Sequence, residues 1–143
     1  MDAPVEISFI VPGEPVAQPR PRFSSAGGFT RAYTPKSHPV TAYRQAISLA
    51  AKAAGARPHE ADVELDIVAI FGRPKSHWTK AGLAATAPGR PPKSDWDNVG
   101  KAVSDALNGV AYQDDEQVVI GRVTRRYASR NEPPRTVVTI RRV

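Results

Sequence analysis

Residues 62–71, DVELDIVAIF, alternate without a break: Val63, Leu65, Ile67, Ala69 and Phe71 fall on one side, Asp62, Glu64 and Asp66 on the other. A run of that length with period two is the mark of a strand with one buried face and one facing water. Residues 5–11, VEISFIV, repeat the pattern with Val5, Ile7, Phe9 and Val11. Between the two the period changes. TAYRQAISLAAKAAG (41–55) sets Tyr43, Ala46, Ile47 and Ala50 at i, i+3, i+4 and i+7, with Gly55 placed to end a helix. A second helix is predicted over 97–107, with Val99, Val103, Ala106 and Leu107 as its buried stripe and Asn108-Gly109 as its stop. Strands near 117–127 and 135–142, joined by ASRNEPP, complete the order. The expectation is one α/β domain spanning 1–143, with a mixed sheet, two principal helices and long basic loops.

Those loops are GEPVAQPRPRFSSAGGFTRAYTPKSHPV, with a short extended segment near GFTRAY, and GRPKSHWTKAGLAATAPGRPPKS (72–94). Most of the 14 prolines lie in or beside them, and the second reads as a mobile loop. The net charge of +6 favours a polyanionic partner, nucleic acid first. Arg20, Arg22, Arg73, Lys75, Arg90 and Lys93 are the candidate DNA contacts. Aromatic residues accompany the basic ones in PRPRF, FTRAY, HWTK and RVTRRY, where they can stack on bases. The absence of cysteine excludes disulfides and thiolate metal sites, and fits a reducing compartment. No signal-peptide pattern and no membrane-length apolar run occurs, so a cytoplasmic location with no membrane partner is expected. Neither GxxxxGK[ST] nor GxGxxG is present, so no nucleotide cofactor is expected. His38, His59 and His77 show no ligand spacing and read as surface or loop residues.

The acids are distributed unevenly. Of 14, six fall within 95–116: Asp95, Asp97, Asp105, Asp114, Asp115 and Glu116. Residues 12–57 hold only Glu14, against seven Lys and Arg. In the extended chain ahead of a helix, Asp95 and Asp97 project to the same side and can meet one ion. Asp114 and Asp115 stand at the start of a strand that can return beside the helix start. Such carboxylates suit magnesium, which takes one or two of them and keeps several waters. The same residues also serve as helix caps and turn residues, and the pattern alone does not choose. Lys101, one turn after Asp97, reads either as an exposed partner of Asp105 or as a cation aimed at a phosphate.

The run KSDWDNVGKAVSDALNGVAYQDDEQVV (93–119) resembles the signature of RusA-type Holliday junction resolvases: D-x-D-N, a lysine four residues after the second Asp, D-A-L-N-G, then D-D-x-Q-V. PVAQPRPRF with a following YTP, and PKSHWTK, are similar to segments of phage-type members. Ser94 departs from the pattern, since many members have Pro there. The resemblance implies a homodimeric, magnesium-dependent endonuclease of bacteria or their phages, with manganese as a substitute metal. Such an enzyme nicks opposed strands of branched DNA during recombination and repair, leaves 5′-phosphate ends and associates with the nucleoid. It further implies that Asp95, Asp97 and Asp115, with Asp114 alongside, hold the metal and that Lys101 is catalytic. Two other readings stay open: a nuclease of forks, flaps or plain duplex, and a non-catalytic DNA-binding module.

Overall fold

The computed structural model describes residues 2–19, 22–28, 30–33, 35–91 and 95–143. The long alternating segment forms the inner strand β4 (Val63–Phe71) of a four-stranded sheet. Around it lie β1 (Glu6–Pro12), β7 (Val118–Tyr127) and β8 (Arg135–Arg142) in the order β1-β8-β4-β7. The β1–β8 and β8–β4 pairs are antiparallel and β4–β7 is parallel, so the sheet is mixed as expected. The long loops carry two small hairpins, β2 (Arg22–Ser24) with β3 (Arg31–Tyr33), and β5 (Trp78–Thr79) with β6 (Gly82–Leu83). Among the described residues no helix is long and apolar enough to cross a membrane.

Helices α1 (Pro39–Ala53) and α2 (Trp96–Ala106) close one face of the sheet. The core joins Phe9, Val11, Leu65, Ile67, Val138 and Ile140 from the strands to Val40, Tyr43 and Ile47 of α1 and Val99, Ala102 and Val103 of α2. Gly55 (φ 94°) and Gly109 (φ 74°) take the left-handed conformation where the sequence places the helix stops. On the other face the polar alternates of β4 pair across strands rather than only facing water. Asp66 meets Arg122 at 3.4 Å, and Arg141 reaches Glu6 at 2.9 Å and Glu64 at 3.7 Å.

Two polar devices hold this frame. Tyr43 is buried in the core and shares a hydrogen bond with the fully buried Thr136 hydroxyl; burial pushes its pKa up to about 12. Tyr43→Phe leaves Thr136 without that partner and is expected to cost about 1–2 kcal/mol, read from denaturant unfolding. At the β7–β8 loop, Glu132 accepts from Arg126 at 2.7 and 2.8 Å, from Arg135 at 3.0 Å and from the Ser129 amide at 2.8 Å. Arg126 above all, then the Ser129 amide, holds its carboxyl well below the ordinary carboxylate range. A depressed folded pKa contributes stability above the unfolded value and loses it as pH falls towards the folded one. Glu132→Gln is therefore expected to destabilise at neutral pH and to approach wild type in strong acid. Thermal unfolding across that range checks it.

Three expectations are corrected. His59 lies in the loop between α1 and β4, as half of its reading had it, but is buried rather than at the surface, and its amide donates to Ala111 O. The segment after β4 is built rather than open. Arg73 donates to Pro88 O at 2.7 Å and lies 4.3 Å from the Tyr127 ring centroid, and Arg125 donates to Pro91 O at 3.1 Å. The third concerns where β7 begins. A parallel neighbour can be reached only by a crossover, and α2 is that crossover, so it runs back along β4 and β7. The start of β7 consequently lies beside the end of α2, not beside its beginning. Tyr112, ahead of β7, donates its hydroxyl to Ser104 O near the helix end at 2.7 Å.

Candidate active site

Asp95 occupies the N-cap position of α2 in extended conformation, yet its side chain makes no capping hydrogen bond. It is exposed and not spent on holding the helix. Asp97, in the first turn, accepts from the neighbouring Asn98 amide at 3.0 Å and so retains part of a helix-start role. The backbone amide of Gln18 donates to Asn98 O at 2.9 Å, which fastens the chain leading to Arg20 and Arg22 beside this helix start. Arg20 and Lys93 lie outside the described residues; Arg22 is on β2, its side chain outside them as well.

Lys101 shows both faces of its sequence reading. Its ammonium stands 3.8 Å from Asp105 with the side chain 60% exposed, an i, i+4 pair worth a few tenths of a kcal/mol. It also lines a groove of about 280 Å³ between α2 and the sheet. Asp97 and Trp96 stand on that groove towards the helix start, Asp115 and Ser104 towards its end, and Leu65, Ile67 and Val123 contribute apolar wall. Gly100 allows the approach, since a Cβ there would sit 3.0 Å from Val123 Cγ2.

Asp115 opens a short 3₁₀ turn (Asp115–Gln117) capped by Asp114, whose carboxylate accepts from the Glu116 amide at 3.1 Å. Asp114 therefore works as a cap at this site. Burial raises the Asp115 pKa above the ordinary carboxylate value; Asp114 and the charge of Asp105 raise it further, and Lys101 pulls it back. Tyr112 is pushed up as well, first by burial and then by the charges of Asp115, Asp105 and Asp114.

Two residues of this arrangement were not singled out as site residues from sequence. Asp105 joins Asp114 and Asp115 in charge at the end of α2, and the 97/101/105 spacing along one helix face was its signal. Gln117 clamps the turn: its Oε1 accepts from the Gln113 and Asp114 amides at 2.9 and 3.0 Å, and its Nε2 donates to His59 O and Ala61 O at 2.8 and 2.9 Å. The D-x-x-Q spacing of a capping box was legible in 114–117.

The donors are all oxygen, the chemistry of a hard cation, and the like charges crowded at Asp115 are what a cation relieves. Among the described residues no group of three or more His, Cys, Asp or Glu is gathered closely enough to hold an ion. An ion here would rest on one or two carboxylates and retained waters rather than on a full protein cage, a coordination that magnesium tolerates.

A small α/β domain with carboxylates and a lysine along one helix–sheet groove, in a basic chain, has the make-up of a phosphodiester-cleaving protein. The comparison with known proteins agrees: the chain belongs to the family described as Endodeoxyribonuclease RusA, which matches residues 12–141. It is also similar to "Uncharacterized protein YqaN" of Bacillus subtilis (strain 168), at 38% identity over 144 positions covering 96% of each chain.

Proposed function

We propose that this chain is a magnesium-dependent endodeoxyribonuclease that resolves four-way DNA junctions by paired nicks on opposed strands. The observation that carries this reading is the shared groove of Asp97, Lys101 and Asp115 in a chain of the RusA family. In the proposal the ion sits in the groove between Asp97 and Asp115, which hold it directly or through its retained waters, with Asp95 and Asp114 at the two ends. The bound ion supplies a water of lowered pKa and neutralises phosphate charge. Lys101 places its ammonium against the charge that develops on the scissile phosphate. Exposed Lys75 and Arg90 hold the backbone of the DNA, together with Arg20, Arg22 and Lys93. Arg73 also fixes the loop that carries Lys75 and Arg90, through Pro88 O. A twofold dimer presents two such sites to a substrate of matching symmetry.

The test compares a four-way junction, a fork, a flap and a linear duplex, with and without Mg²⁺. Symmetric nicks in the junction that vanish on chelation are expected. Equal cutting of linear duplex would overturn the junction preference in favour of a broader nuclease. Binding without any cutting would leave only a DNA-binding module.

A further inference from the structure

A second groove, of about 440 Å³, lies where β4 and β7 end, and sequence alone did not assemble it. Arg73, Lys75 and Trp78 line it from the segment after β4, and Arg130 and Glu132 from the β7–β8 loop. Arg130 donates to Thr79 O at 3.3 Å and lies 5.5 Å from the Trp78 ring centroid, so the two loops form one surface. The acid on its wall is already balanced, since Glu132 is held by Arg126 and Arg135. Arg73, Lys75 and Arg130 make no ion pair among the described residues. Among the described residues the groove therefore carries three cations outside any ion pair beside an aromatic ring, with Glu14 held on the Gly72 amide at its edge. Its two guanidiniums are already ordered by backbone carbonyls and rings, which lowers the entropy lost on gripping an anion.

Resting on the nuclease reading above, we propose that this groove is a distal clamp for the phosphate backbone of a junction arm. Trp78 packs against the sugar and base edges there. The ten residues of β7 separate the groove from Asp115 by about 30 Å along the strand. At 3.4 Å per base pair that distance is about nine base pairs. Asp97, at the start of α2, lies nearer the groove, so about nine base pairs is the longest arm that reaches the acids but not the clamp.

The experiment measures metal-free binding of the full chain to four-way junctions whose arms shrink from about 15 to about 6 base pairs. Wild type is expected to lose roughly tenfold in affinity as the arms shrink from about nine to about six base pairs. A Lys75→Gln/Arg130→Gln variant should bind long arms more weakly, flatten the salt slope by about 2, and show no such step. Arg130→Lys, which keeps the charge, should keep the step. Lys75→Gln alone removes no hydrogen bond found among the described residues and should flatten the slope by about 1, which holds the test open if the double variant does not fold. Wild type that cuts long-armed junctions but shows no step overturns the clamp alone, as does a folded double variant that retains it. Wild type that neither binds nor cuts DNA of any arm length overturns the nuclease reading and the clamp with it.

Discussion

Asp115→Asn is expected to lower junction cleavage by at least about a thousandfold, while metal-free junction binding is kept or strengthened. Asparagine preserves the shape of the side chain and leaves the Gln117 clamp on the neighbouring backbone untouched. It removes a charge that burial first, and then Asp114 and Asp105, already oppose, the causes that raise the pKa of Asp115. The fold should therefore hold its melting temperature or gain slightly, the usual relation where a strained cluster serves chemistry. Asp105→Asn relieves the same repulsion but frees Lys101 from its partner, so a smaller loss of cleavage is expected there. Single-turnover cleavage with Mg²⁺, thermal unfolding and metal-free binding read the three quantities. Asp115→Asn retaining cleavage within tenfold of wild type would sink the assignment of Asp115.

The fold was legible because its elements carry clean periods. The expected strand at 62–71 and helix at 41–55 stand as Val63–Phe71 and Pro39–Ala53. Val5 is the exception, exposed just ahead of β1, because a period of two says which face a residue takes but not where pairing starts. Family membership was legible from 93–119, since D-x-D-N and D-D-x-Q-V survive in order. Geometry within the site was not. Sequence spacing places Asp95 and Asp97 together, but it does not say which end of α2 the next strand returns to. The parallel pairing of β4 and β7 decides that, and it sets Asp115 beside Ser104 and Asp105, near the far end of a helix about 16 Å long. Arg73 shows the same limit: its charge was visible in the sequence, its engagement with Pro88 O and Tyr127 was not.

Gln117→Glu is expected to cost about 2–5 kcal/mol of folding stability, a large share of a typical domain's total. The wild-type amide divides its work. Its oxygen accepts two amides of the turn that carries Asp114, and its nitrogen donates to the carbonyls of His59 and Ala61, just ahead of β4. Glutamate keeps the acceptor but has no N–H. Both carbonyls lose their donor and face a carboxylate oxygen instead. The turn should stay capped while its tie to β4 breaks, so Asp115 remains present but is no longer held against the groove. Cleavage by the folded fraction should then require several-fold more Mg²⁺, an effect that loss of stability alone does not produce. Gln117→Met, which removes both halves without adding charge, should destabilise too, but without the repulsion. Urea unfolding together with a magnesium titration of cleavage separates these effects. A Gln117→Glu protein with wild-type midpoint and wild-type metal dependence would show that the clamp is incidental. A shifted midpoint with unchanged metal dependence would confine Gln117 to folding, because a turn that positions Asp115 for an ion cannot be released without changing how that ion is held.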